Sequence, residues 1–183
     1  MSKIFIFKKL STKDLCALAL LTAITVILAL TATIRIGNYI KIPLKFISVF
    51  LTGVLFGPLW AGASAAVGDI FNALFSPVGS FMPQITLVEF LSGFLFGFFM
   101  FDTHKNQTHF YAKACLCVLA QFMLDMFVTP IFLVQVGIFP SYGSAIAVRF
   151  AASLLKAAMQ SAVLLSGKAY LKFFAGRVAR HNG

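Results

Sequence analysis

Four ionisable side chains lie inside otherwise apolar runs: Asp69, Glu89, Asp125 and Lys156, with Arg35 and Arg149 at the ends of such runs. Inserting one such group at mid-membrane costs about 2.5–3.5 kcal/mol, so each marks a functional position by default. Arg149 and Lys156 are two helical turns apart, so they point the same way, with Lys156 about 10.5 Å deeper. A guanidinium clamps a carboxylate through paired N–H bonds. An ionised carboxylate offers paired acceptors to ring N–H groups. Together these residues suit recognition of a small organic anion, and Phe46, Phe75, Phe81 and Tyr142 offer faces for a flat ring at the same level.

Catalytic sets are not visible. The sequence has no phosphate-binding GxxxxGK[ST], no HExxH and no nucleophile elbow. His104, His109 and His181 fall away from the acids. Cys16, Cys115 and Cys117 are an odd number in apolar runs, which suits neither a disulfide framework nor a zinc site. The expectation is a protein that is not an enzyme, with no cofactor and no metal.

The elements that would carry these residues follow from composition. The chain has 183 residues, 60% hydrophobic and only 11% charged. Soluble domains run about 45–50% apolar and about 25% charged, so too few charges are present to coat a water-facing surface. The net charge of +10 does not point to nucleic acid, because the bases gather at the two ends. Lys3, Lys8, Lys9 and Lys13 open the chain, and Lys168, Lys172, Arg177 and Arg180 close it, as in segments that set topology against anionic lipid.

Hydropathy predicts an all-α membrane protein with six transmembrane helices. The spans are residues 15–34, 46–56 (stopping at Gly57-Pro58), 59–75, 83–101, 111–134 (bent or ended by Pro130) and 145–174. The first is too long for a secretory signal core of about 7–15 residues. The second is short and must be buried by its neighbours or lie in thinned bilayer. A charged connection around Gly37-Asn38 joins the first two, and 76–80, 102–109 and 137–143 are loops. Residues 1–183 form one integral membrane domain in the cell membrane, with a basic N-terminal segment (1–13) and a basic tail (175–183). Placing both termini in the cytoplasm puts ten bases inside and four outside, as the positive-inside rule requires.

Following the alternating helix directions, all the embedded charges fall in the outer half of the bundle. Five bases (Arg35, Lys41, Lys45, Arg149, Lys156) face three acids (Asp69, Glu89, Asp125) there. An ion path would place polar groups at every depth; an outward pocket for an anion needs them in one half. Structural roles stay open: Asp69 and Glu89 as ion-pair partners of Arg149 or Lys156, Lys41 and Lys45 as interfacial residues, the aromatics as packing. On the first helix Ala19 and Ala23 make a small-xxx-small face that lets another helix approach closely. Gly62 and Ala66 suit internal packing.

Several motifs then combine: Ala19-x-x-x-Ala23, Arg35, the stretch from Gly53 to Trp60 containing Gly57-Pro58-Leu59-Trp60, Gly68-Asp69, and the loop Pro77-Val78-Gly79-Ser80-Phe81-Met82-Pro83-Gln84-Ile85-Thr86-Leu87. With Arg149 and Gln160 in the last helix, nearly the whole chain resembles the substrate-binding S components of energy-coupling factor (ECF) vitamin transporters, and among them the folate-type branch. It departs from that branch at Lys45 and Gln84, where glycine is usual, and at Ala152, where a lysine is expected and Lys156 stands one turn on. The resemblance implies a membrane subunit that captures a vitamin, folate first, and delivers it inward with a transmembrane coupling subunit and two ATPase subunits. It implies that Arg149, Lys156 and Arg35 hold glutamate carboxylates, that Asp69 accepts from a pterin, that Phe75 and Phe81 stack on the ring within the Gly79 loop, and that Ala19 and Ala23 dock the coupling subunit. Another vitamin (pantothenate- or pyridoxine-like), a stand-alone ion-coupled carrier and a structural membrane subunit remain alternatives at this point.

Overall fold

The computed structural model describes residues 11–36, 40–75, 82–101, 110–137 and 139–181, with side chains described outside 33–43 and 165–181. The described residues form six helices and one hairpin. Helix α1 (Thr12–Thr31) opens where the Ser11 backbone N–H donates to Asp14 Oδ2 at 3.2 Å. It is followed by strands β1 (Thr33–Ile36) and β2 (Ile40–Pro43), then α2 (Phe46–Phe56), α3 (Pro58–Phe75), α4 (Pro83–Met100), α5 (Phe110–Gln135) and α6 (Tyr142–His181).

The predicted charged connection after α1 is therefore an antiparallel hairpin, with Arg35 opposite Lys41 and its base closed by Leu44 N–H to Ala32 O at 3.0 Å. The cause is in the sequence: Ile34, Ile36, Ile40 and Ile42 alternate with other residues around Gly37-Asn38, a strand period in β-branched residues. Among the described residues this is the one departure from helical structure, and it ends α1 at Thr31 rather than at 34.

Helices α1, α4, α5 and the Tyr142–Leu164 part of α6 are long and apolar enough to cross a bilayer. Large apolar side chains such as Leu20, Ile27, Leu119 and Phe127 point outward from them, as lipid-facing residues do. The short α2 is instead enclosed: Ser48, Val49, Phe50, Thr52, Gly53, Val54 and Phe56 are all buried, against α1, α3 and α4. Burial by its neighbours is thus the arrangement found for this short helix.

Glycines make this enclosure possible. A Cβ on Gly53 would stand 2.8 Å from the backbone nitrogen of Gly97, and Gly97 itself lies against the Pro58 backbone. Gly57 turns the chain from α2 into α3 with φ of 94°, a conformation other residues rarely adopt. Gly62 packs on the Phe90 ring, the internal role expected of it. Hydroxyls stitch α1 to α2 and α3: Thr25 and Ser48 both donate to Leu21 O (2.9 and 2.8 Å) and lie 2.9 Å apart, with Ser64 Oγ 3.2 Å from Thr25. The apolar centre is Phe50, Val54, Ala61, Ala65, Phe96 and Met100, with Phe50 and Phe96 edge to face at 6.3 Å.

Candidate functional site

The hairpin end of the bundle collects the charges. Lys45, on the turn that opens α2, is 4% exposed and places Nζ 3.2 Å from Glu89 Oε2 on α4. Because α2 is short and enclosed, its first turn is buried inside the bundle. Lys156 on α6 donates to Asp125 Oδ2 on α5 at 2.6 Å. Asp69 on α3 accepts the Thr86 hydroxyl of α4 at 2.7 Å.

Asp125 owes its position to a π-helical turn, Leu124–Val128, within α5. Pro130 has no N–H to donate and its ring crowds the carbonyl a turn back. The extra residue of a π turn relieves that crowding, and α5 continues to Gln135 instead of ending at the proline. Thr129 N–H reaches Leu124 O, the wider spacing of such a turn.

Arg149 is half-buried on α6, and the acids whose fields reach it are Asp125 and Glu89. Among the described residues it has no ion-pair partner, whereas Lys45 and Lys156 each have one. Below Lys156 on the same helix face, Gln160 is buried and its Nε2 has no hydrogen-bond partner among the described residues.

Lys45, Phe46, Val49, Ala65, Glu89, Ser92, Phe96 and Lys156 line one cavity of about 280 Å³ including its open mouth. Most of that figure is open or interstitial space: the room inside is about 10 Å³, enough for about one water, against about 300–1,000 Å³ for sites that hold a small molecule, so the cavity's lining side chains must part to admit one. Its wall is braced behind Ser92, whose hydroxyl donates to Gln121 Oε1 (2.7 Å) while Gln121 Nε2 donates to Ser92 O (2.6 Å).

Of the residues picked from sequence, Lys156 lines the cavity, Arg149 shares its field, and Asp69 lies within the fields of Glu89 and Lys45. Phe46 also lines it. Phe75 is 67% exposed at the last turn of α3, stacked on Phe71 with centroids 6.1 Å apart. Tyr142 is exposed and donates to Phe127 O at 3.3 Å. Arg35 and Lys41 face each other across the hairpin, their side chains outside the description; Gly79 and Phe81 lie outside the described residues. Ala19 and Ala23 are exposed on α1, away from its buried Leu18, Thr25 and Ala29. The sequence left Asp69 and Glu89 open as ion-pair partners of Arg149 or Lys156; in the structure Asp69 accepts from Thr86 and Glu89 pairs with Lys45. No group of three metal-ligating side chains occurs among the described residues.

Comparison with known proteins bears on this site. Residues 9–170 match the family described as "ECF-type riboflavin transporter, S component". Two relatives are the folate transporter FolT of Clostridium novyi, 35% identical over 63 residues (34% of this chain, 37% of that protein), and that of Streptococcus mutans, 31% identical over 109 residues (60% of this chain, 59% of that protein). The match thus spans less than two thirds of the length of these curated relatives. A crystal structure of FolT bound with folic acid superposes with a TM-score of 0.71 at 24% identity, covering 85% of this chain and 92% of that one. The S component for biotin from an ECF-type ABC transporter superposes with a TM-score of 0.60 at 18% identity, covering 87% and 95%. These two share its fold. An integral membrane bundle matched over nearly its whole length in this way belongs to the S-component family of ECF-type transporters.

Proposed function

We propose that this protein binds folate in the charged cavity and hands it to the cell interior as the substrate-binding subunit of an ECF transporter. The observation that carries this reading is Arg149: a half-buried guanidinium with no ion-pair partner among the described residues, two turns along α6 from Lys156, outside the lining of a cavity whose two lining cations are already paired. A buried cation without a counter-charge is costly, and a ligand carboxylate is the natural partner for it. Riboflavin, which the family description names, carries no ionised group at neutral pH and would leave Arg149 uncompensated. Biotin and pantothenate offer one carboxylate, folate two, on a glutamate tail.

In this reading Arg149 clamps one tail carboxylate, with Lys156 and Arg35 alongside, and Asp69 accepts from the donor edge of the pterin. Phe75 stacks on the ring, and the resemblance adds Gly79 and Phe81, which lie outside the described residues. The names of the two curated relatives support folate as the vitamin. The partners are a transmembrane coupling subunit, docked on the exposed Ala19 and Ala23 of α1, and two ATPase subunits, since the chain has no phosphate-binding loop of its own. Both termini lie in the cytoplasm, which maleimide labelling of Ser2→Cys in intact and opened cells tests. Mass spectrometry of small molecules extracted from protein purified without added vitamin tests the ligand: a reduced or oxidised folate is expected, and riboflavin or biotin in its place contradicts the reading.

A further inference from the structure

We propose that Glu89 stands in the cavity as a built-in counter-ion for Lys45, and that a ligand carboxylate takes Lys45 from it on binding, making Lys45 a specificity-determining cation for dicarboxylate ligands. This rests on the folate reading above and adds to it a residue that reads the second carboxylate.

The two buried ion pairs are not equivalent. Asp125 holds Lys156 at 2.6 Å from outside the cavity lining, whereas Glu89 holds Lys45 at 3.2 Å and is itself part of the lining, the only acid there among the described residues. Glu89 therefore occupies space that an entering anion would use. An ammonium has three N–H donors and no acceptor, so Lys45 at the wall of this cavity can turn from one carboxylate to another. Glu89 would not then be stranded. Lys45, Lys156 and Arg149 all act on it, so Lys156, which keeps Asp125 as its contact partner, and Arg149, shared with the ligand, still act on Glu89 after Lys45 turns away. The cavity as it stands holds little more than about one water, so ligand entry requires its lining side chains to move, and parting Lys45 from Glu89 frees the cation.

The test is a titration of folic acid, with two tail carboxylates, and pteroic acid, which lacks the glutamate, into the full-length protein in detergent. Glu89→Gln removes the competitor and is expected to tighten folic acid about tenfold, with pteroic acid changed less than about threefold. Lys45→Met is expected to weaken folic acid about tenfold or more, Lys45→Arg to restore most of it, and Glu89→Gln added to Lys45→Met to give no gain. Retained pteroic acid binding shows that each variant is folded. Parallel weakening by Glu89→Gln and Lys45→Met, or an equal gain from Glu89→Gln with and without Lys45, overturns the exchange while leaving the folate reading intact. Wild-type protein that binds neither compound overturns the folate reading and this inference with it.

Discussion

Lys156 and Asp125 meet at 2.6 Å across the seam between α6 and α5, and the acid reaches that seam from a π turn. Removing one partner of a buried pair leaves a charge that nothing else neutralises at contact distance. Asp125→Asn is therefore expected to cost about 3–5 kcal/mol of stability, and Asp125→Leu combined with Lys156→Met to recover most of it. Denaturant unfolding in mixed micelles measures both. A loss under about 1 kcal/mol for the single variant would mean that the pair is solvated.

Arg149 has the opposite profile. With no ion-pair partner among the described residues, it has little to lose structurally. Arg149→Ala should leave the melting temperature close to wild type while weakening folic acid about a hundredfold, and Arg149→Lys, which keeps the charge but not the paired N–H geometry, should fall between. Calorimetry alongside thermal unfolding separates the two effects; a large drop in melting temperature with unchanged affinity would reassign Arg149 to a structural role.

The glycine seam makes a packing prediction. Gly53→Ala forces a Cβ to 2.8 Å from the Gly97 backbone, where no flexible side chain can yield, so a loss of about 1–3 kcal/mol is expected. Gly143→Ala is the control, since a Cβ there meets nothing within 4 Å. Equal melting temperatures for the two variants would show that α2 and α4 can separate without cost.

Docking and binding should come apart on α1. Ala19→Trp adds bulk to an exposed face away from Leu18, Thr25 and Ala29. Folic acid binding by the purified variant is expected to match wild type, with uptake by cells carrying the full transporter abolished. Loss of both would place that face inside the bundle rather than against a partner helix.

Much of this architecture is written in the spacing of apolar residues. The run 46–56 and its stop at Gly57-Pro58 give α2 as it is, and Pro83 opens α4 as its missing N–H allows. The hairpin was masked by its charges: Arg35 and Lys41 drew attention away from the alternating isoleucines between which they sit. Pro130 reads locally as a break, because nothing in the residues nearby announces that a π turn will absorb it. In the site, the positions of Asp69, Arg149 and Lys156 follow from helix periodicity, but partner choice does not. Lys45 next to a Pro-Leu pair resembles an interfacial lysine until the short helix it opens proves to be enclosed; then Glu89, one layer in on α4, becomes its partner. Which acid meets which base depends on helix rotations of a few tens of degrees, and those are fixed by long-range packing such as Gly53 on Gly97.

The most direct test of a carboxylate-reading site at the hairpin end is isothermal titration of the purified wild-type protein and of Arg149→Ala with folic acid and with riboflavin. The account predicts a single saturable site for folic acid on the wild type, no heat from riboflavin, and loss of the folic acid signal in the variant. Saturable riboflavin binding that is indifferent to Arg149 would contradict it.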